Sequence, residues 1–330
     1  MKLSQRQLNR AVLARQGLLE RRALDLPDAL DAMGCLQAQY APSMYIGLWS
    51  RVKDLRRDAV TEALNEREII QATLMRFTIH LVSAGDYWPL ALAIRDSRRA
   101  WWGRVTKHEP LDEPAAKLRE ALKAGPLRRK EIEAVIGKDA IQGIGAWVDL
   151  VRVPPQGTWE KRRADNFGLA DDWLPRPEVE DPLRHLVARY LTGFGPAAQG
   201  DIANWAGMPN KDVAPTLAGL VTHEAEDGTT LYDLPDLPLP DEDTPAPVRF
   251  LPTWDATLLV HARRALILPE GLREHVFHVK MPQSIGTFLV DGQVAGTWKP
   301  DGTVTPLVDL TKRQRTQVDK EAAALADFMA

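Results

Sequence analysis

The sequence predicts a mainly helical α+β protein, with three tandem winged-helix modules followed by a small C-terminal β-barrel. Two observations carry this. The order helix, helix, helix, then two short strands runs through the chain three times. An acidic segment with Pro235, Pro238, Pro240, Pro245 and Pro247 then gives way to sequence of β texture. The expected units are 1–110, 111–178 and 179–240 for the modules and 248–330 for the barrel with a terminal helix.

In the first unit, Ser4 is a plausible N-cap ahead of an apolar stripe of Leu8, Val12 and Leu13. A second helix is expected after Pro27, through Leu30, Met33 and Leu36, and a third over 57–67. The stretch Ile69 to Val82, rich in Thr, Ile, Phe and Val, reads as extended and would form the wing. A longer helix over 84–104 leads out of the unit.

The second unit predicts helices over 115–123, 128–136 and 141–151, broken by Gly125-Pro126 and Gly137. A strand and turn at 153–159 leads to basic Lys161-Arg162-Arg163. In the third unit a helix starts at Asp181-Pro182, and Gly195-Pro196 opens the next. Gly207-Met208-Pro209-Asn210 makes the turn of a helix-turn-helix whose second helix would run from Lys211 to Leu220. A wing follows with Asp227-Gly228 at its tip. Beyond the linker, Asp291-Gly292 between Phe288 and Trp298 signals a type I′ hairpin, a strand is expected near 303–308, and a helix from Lys312 ends the chain.

Composition narrows the setting. The apolar share of 45% and the charged share of 26% are those of a globular protein. No apolar run approaches the roughly 20 residues that span a bilayer, so no membrane partner is expected. The start of the chain lacks the apolar core of a signal peptide, and Cys35 is the one cysteine, which together read as cytoplasmic. The net charge is −3, yet residues 1–110 carry 17 Lys/Arg against 12 Asp/Glu, while 111–250 carry 16 against 24. A basic first third on an acidic body suits a face presented to phosphates, and equally a solvated mixed surface. Helix-turn-helix units in series point to duplex DNA, with protein docking as the other use of the fold.

The chemistry-bearing stretch is Gly34-Cys35-Leu36-Gln37-Ala38-Gln39-Tyr40-Ala41-Pro42-Ser43. Three further stretches follow it in order: Leu74 to Val82, Leu251-Pro252-Thr253-Trp254-Asp255, and Val290 to Trp298. With these four the chain resembles the AlkZ- and YcaQ-like winged-helix DNA glycosylases over essentially its whole length, Gln37-Ala38-Gln39 standing where that family has its signature, in the second-helix region. The resemblance implies a C-shaped protein around DNA and a monofunctional glycosylase, expected as a monomer. It implies base-excision repair of alkylation damage: release of cationic alkylated purines, N7-alkylguanine and guanines in interstrand crosslinks among them. Gln37 and Gln39 would be the catalytic pair. An alkylated purine already carries positive charge and leaves without much acid help, so what remains is to place a water and stabilise an oxocarbenium-like transition state. An amide carbonyl can do this without acting as a base.

Geometry sets a condition. Residues two apart on a helix point about 200° apart, so the two amides share a site only if the chain leaves regular helix there. Pro42 disfavours helix at Ala41 and puts the helix end near Gln39.

Arg76 and His80, four apart on the wing strand, share a face by period two and are candidates for DNA contact. Arg98, Arg99, Arg162 and Arg163 are candidates for phosphates, and Lys280 and Gln283, about the turn Met281 to Ser284, are candidates for DNA contact where that turn could probe a groove. His275 and His278 lack further ligands nearby, so neither a metal nor an organic cofactor is expected. Cys35, Trp101, Trp102 and Trp205 read as core. The alternatives left open are a non-enzymatic DNA-binding regulator and a self-resistance protein for one bulky adduct.

Overall fold

The computed structural model describes residues 1–106, 110–259, 264–277 and 284–330. The first strand is β1 (Lys2–Leu3), followed by α1 (Gln5–Arg15), which Ser4 caps by accepting from the Gln7 amide. Next come α2 (Leu26–Met33), β2 (Leu36–Gln37), α3 (Ala41–Trp49) and α4 (Arg57–Asn65). An antiparallel pair, β3 (Ile69–Thr73) and β4 (Ile79–Ser83), leads into the long α5 (Ala84–Thr106).

The next stretch holds α6 (Asp112–Leu122), β5 (Leu127–Arg128), α7 (Arg129–Ile136), β6 (Leu150–Arg152), β7 (Asn166–Leu169) and α8 (Ala170–Trp173). Then follow α9 (Pro182–Phe194), α10 (Gln199–Ala206) and α11 (Asn210–Val213), with the hairpin β8 (Val221–Ala225) and β9 (Thr230–Asp233). The last part is β10 (Arg249–Leu251), α12 (Ala256–Leu259), α13 (Arg273–Val276), β11 (Gly286–Val290), β12 (Gln293–Trp298), β13 (Val304–Pro306) and α14 (Lys312–Met329).

Three sheets organise these elements. A six-stranded sheet in the order β2-β4-β3-β6-β7-β5 runs across the expected boundary at residue 110, because β3 pairs with β6 through Gln71 and Ala72. A second sheet joins β1, in parallel, to the β8–β9 hairpin. The third is an antiparallel meander, β10-β11-β12-β13. It is open between β10 and β13 among the described residues, so the barrel expected for 248–330 is not found. The Asp291-Gly292 turn has both residues at positive φ, which is the type I′ geometry that Asp-Gly favours.

Several helices differ from expectation. Residues 141–151 form two short 3₁₀ turns and then β6, where Gly143 and Gly145 interrupt any helix. Past the turn at Gly207, α11 is a single turn, and Pro215 leaves only a 3₁₀ turn behind it. The largest change is at the glutamines. Gly34 caps α2 in the left-handed conformation, Cys35 follows at φ +75°, and the chain turns extended at Leu36. Pro42 therefore does not close a helix; it sits in the first turn of α3, where a missing N–H is no loss.

The main core lies between α5, α9, α10 and the large sheet, around Trp88, Tyr190 and Trp205. A neighbouring core under α2 and α3 supports β2. Trp102 and Trp205 are buried as expected, whereas Trp101 is 40% exposed.

Candidate functional site

Leu36 and Gln37 pair with Leu81 and His80 of β4, and the register continues with the Ala38 amide donating to the Ile79 carbonyl at 2.7 Å. Leu36 and Gln37 therefore form the edge strand of a sheet, Ala38 continues its register, and Gln39 sits in the bend that follows. The chain has left helix before Gln37, so the 200° separation that a helix would impose on the two amides does not apply. The two amides are held differently. Gln37 is buried, and its Oε1 accepts from an Nη of Arg76 at 3.4 Å. Gln39 is exposed, and its Oε1 accepts from the Ile79 amide at 2.8 Å. A carbonyl oxygen has two lone pairs, so each keeps one for a further donor such as water.

Arg76 owes its position to an unusual turn. Between β3 and β4 the chain makes a 3₁₀ turn in which Arg76 and Phe77 both have positive φ, +52° and +57°. Non-glycine residues in that region are held there by their surroundings. Here the other arm of the Arg76 guanidinium donates to the Trp205 carbonyl of α10 at 2.8 Å. Gly207 permits the approach: a Cβ there would lie 3.0 Å from the Arg76 nitrogen. The Gly207 turn thus braces the residue that touches Gln37.

The expected pairing of Arg76 with His80 on one strand face is not found, because Arg76 is in the turn and His80 is in β4. His80 is 1% exposed, with Nδ1 3.0 Å from the Thr78 carbonyl, so it does not reach DNA. Burial, reinforced by the Arg76 charge, lowers its pKa to about 3, which leaves the ring neutral and Nδ1–H as donor. Burial pushes the Cys35 thiol up, which makes it a packing residue and a poor nucleophile.

Arg98 and Arg99 both turn onto carbonyls of the protein. Arg98 is buried and donates to the Thr73 carbonyl; Arg99 donates to the Ala146 carbonyl at 2.9 Å and lies over the Trp147 ring. Arg98 lies on the inner side of α5, and Arg99 is half-buried at its margin, which periodicity alone does not reveal. Arg162 and Arg163 are exposed. Arg162 donates to the hydroxyl of Tyr40 at 2.9 Å, which brings the basic run 161–163 beside the residue that follows Gln39. Tyr40, 37% exposed, was not singled out from the sequence; an aromatic directly after the glutamines was the available signal. Lys280, Gln283, His278 and the turn at 281–283 lie outside the described residues. His275 is exposed, and among the described residues no three His, Cys, Asp or Glu side chains gather as metal ligands.

The remaining motif stretches support the site from behind. Thr253 and Ser43 share a hydroxyl hydrogen bond of 2.6 Å, and the buried Arg51–Asp255 pair, 2.9 Å, ties α3 to the segment after β10. Trp298 donates to the Leu251 carbonyl, and buried Arg10 pairs with Asp291 of the hairpin.

Gln39 also stands at the edge of a cavity of about 400 Å³. Its walls come from the β3–β4 turn, α5, α7 and β6–β7, with Phe77, Trp101 and Phe167 among the aromatics. The rings of Phe77 and Trp101 are 4.8 Å apart between centroids. Four arginines and one aspartate line it.

Among known proteins, the family model described as DNA glycosylase AlkZ-like matches residues 30–328. No curated protein matches the sequence. The chain is similar in structure to the DNA glycosylase AlkZ of Streptomyces sahachiroi, with a TM-score of 0.82 and 20% identity, over 100% of this chain and 97% of that one. No helix among the described residues is long and apolar enough to cross a membrane.

Proposed function

The chain belongs to the AlkZ-like DNA glycosylase family, and from that premise we propose that it hydrolyses the N-glycosidic bond of cationic alkylated purines in duplex DNA, N7-alkylguanine above all and crosslinked guanines with it. The observation that carries this reading is the non-helical Gln37-Ala38-Gln39 run at a sheet edge, with both amide oxygens held by neighbouring donors.

In the reaction the C1′–N9 bond breaks and its electron pair passes to the purine, which leaves neutral. A water oxygen bonds to C1′, and its proton passes to solvent. The sugar is cationic in the transition state, so dipoles oriented in advance stabilise it without reorganising. The amide oxygens supply such dipoles and an acceptor for the water, with Arg76 and the Ile79 amide keeping each in place. An amide is a weak base, which suits a substrate whose leaving group is already activated. We read the protein as a monofunctional enzyme that acts as a monomer in the cytoplasm, with exposed Arg162 and Arg163 toward phosphates.

The test is release of free base from a duplex with one N7-methylguanine. No release at any enzyme concentration removes the reading. A second reading draws on the same hydrogen bonds: the amides brace the hairpin, and the chain binds DNA without cleaving it. Loss of thermal stability with unchanged excision, on replacing either glutamine by alanine, favours that one.

A further inference from the structure

Two guanidinium groups in the cavity beside Gln39 are left over by the chemistry above. Arg98, 7% exposed, gives one arm to the Thr73 carbonyl at 3.1 Å and lies 4.3 Å over the Phe77 ring. Its Nε is buried without an acceptor among the described residues. Arg152 donates from Nε to the Ala164 carbonyl at 3.0 Å and lies 5.0 Å over Phe167. Neither has a carboxylate at ion-pair distance among the described residues, in contrast to the other two arginines. Arg95 holds both oxygens of Asp149, at 3.0 and 2.9 Å, and Arg129 pairs with Glu133 at 2.9 Å. Burial lowers Arg98 and Arg152 to about 10, so both stay charged at neutral pH. Gly145 leaves room for one of them: a Cβ there would sit 3.2 Å from Arg98 Nη2.

A buried charge with no carboxylate at ion-pair distance is costly unless something pairs with it. The walls state what that is. Aromatic faces stack flat rings, and free guanidinium forks take oxygen acceptors or carboxylates in their plane. A cationic purine suits this cavity poorly, because it meets two like charges in a site of low dielectric. The volume lies in the range of small-molecule sites, roughly 300–1,000 Å³.

We propose that the cavity is a subsite for the substituent on the damaged base: a flat aromatic arm with acceptor oxygens or a carboxylate, on a purine that itself stays outside beside Gln39. The assignment to a lesion arm rests on the glycosylase reading. The chemistry alone also admits a free aromatic anion, and the test separates the two.

In one arm of the test, DNA-free protein is titrated with anilinonaphthalene sulfonate and, separately, with a cationic acridine dye. Saturable binding of the anion alone is expected. Arg152→Met should weaken it about tenfold or more, the loss of one buried hydrogen bond to a charged group, and Trp101→Ala should weaken it by removing an aromatic wall. Trp101 is exposed enough to be replaced without unfolding the chain. In the other arm, excision of N7-methylguanine is compared with that of a guanine bearing a carboxyphenylmethyl group at N7. The aryl lesion should have the higher kcat/KM, and the ratio should collapse toward one in both variants. Anion binding with a ratio of one in the wild type overturns the lesion arm and leaves a free ligand. No anion binding, or equal binding of the cation, overturns the subsite. No release from either duplex with anion binding intact removes the glycosylase reading and sustains the subsite.

Discussion

The guanidinium of Arg76 joins two distant segments: one arm is 2.8 Å from the Trp205 carbonyl and the other 3.4 Å from Oε1 of Gln37. The Gln37 amide is thereby referenced to the turn of the helix pair 199–213, which sequence would assign to another module. Burial lowers the pKa of Arg76, yet the charge is kept and polarises the amide it touches.

If this contact positions Gln37, Arg76→Met should lower kcat for N7-methylguanine release about tenfold, with KM and DNA affinity little changed. Arg76→Lys should recover part of the loss. A decrease confined to thermal stability, with kcat intact, refutes the positioning role.

Gln37→Ala or Gln39→Ala should each cost on the order of 100-fold in rate, about 2.7 kcal/mol at the transition state. The double variant should cost less than the sum, because two groups acting on one water work as a unit. Gln39→Glu should keep activity where Gln39→Ala does not, since a carboxylate orients water at least as well. Near wild-type excision by the double variant would sink the catalytic assignment.

His80 gives a stability signature. Its folded pKa, about 3, lies below the usual value of 6.5, so between those two values the unfolded chain binds a proton that the folded chain refuses. The contribution is present above pH 6.5 and is lost as pH falls toward 3, with a slope of up to about 1.4 kcal/mol per pH unit. Comparing urea unfolding of wild type and His80→Asn from pH 7 to 4 checks this. The two curves should converge at low pH; a constant offset argues against a titrating His80.

Duplex binding should weaken steeply with salt, by about −0.9 in log–log slope per phosphate contacted. Arg162→Ala with Arg163→Ala should flatten that slope by about two contacts' worth. Binding that ignores salt, or its absence at low salt, excludes DNA as the partner.

Excision should survive EDTA, because no cluster of three metal-ligating side chains occurs among the described residues. Inactivation reversed by added zinc or magnesium would contradict this.

What the sequence disclosed depended on how local the signal was. Asp291-Gly292 forced a hairpin by its own backbone preferences, and the structure has it there. Leu30, Met33 and Leu36 keep helical spacing, yet α2 stops at Met33, because Gly34 turns left-handed against α9. A Cβ on Gly34 would lie 2.7 Å from the Arg189 carbonyl, a contact 155 positions away that no window of sequence contains. The glutamine pair was legible as a motif but not as a strand edge. The cavity was not legible at all, since its walls run from Gln39 to Phe167 and Trp101 looked like core.

The parallel pairing of Lys2 and Leu3 with Glu224 and Ala225 has a consequence for synthesis. This strand waits for a partner made about 220 residues later, roughly 10–45 s at ordinary elongation rates. Leu3, fully buried at the end, lacks its strand partner for that whole interval, and Arg15 lacks its carboxylate partner Asp233, which comes later still. The nascent chain therefore carries β1 unpaired past the completion of its six-stranded sheet. Closure of the protein is a late, long-range event, and a chaperone would meet it there.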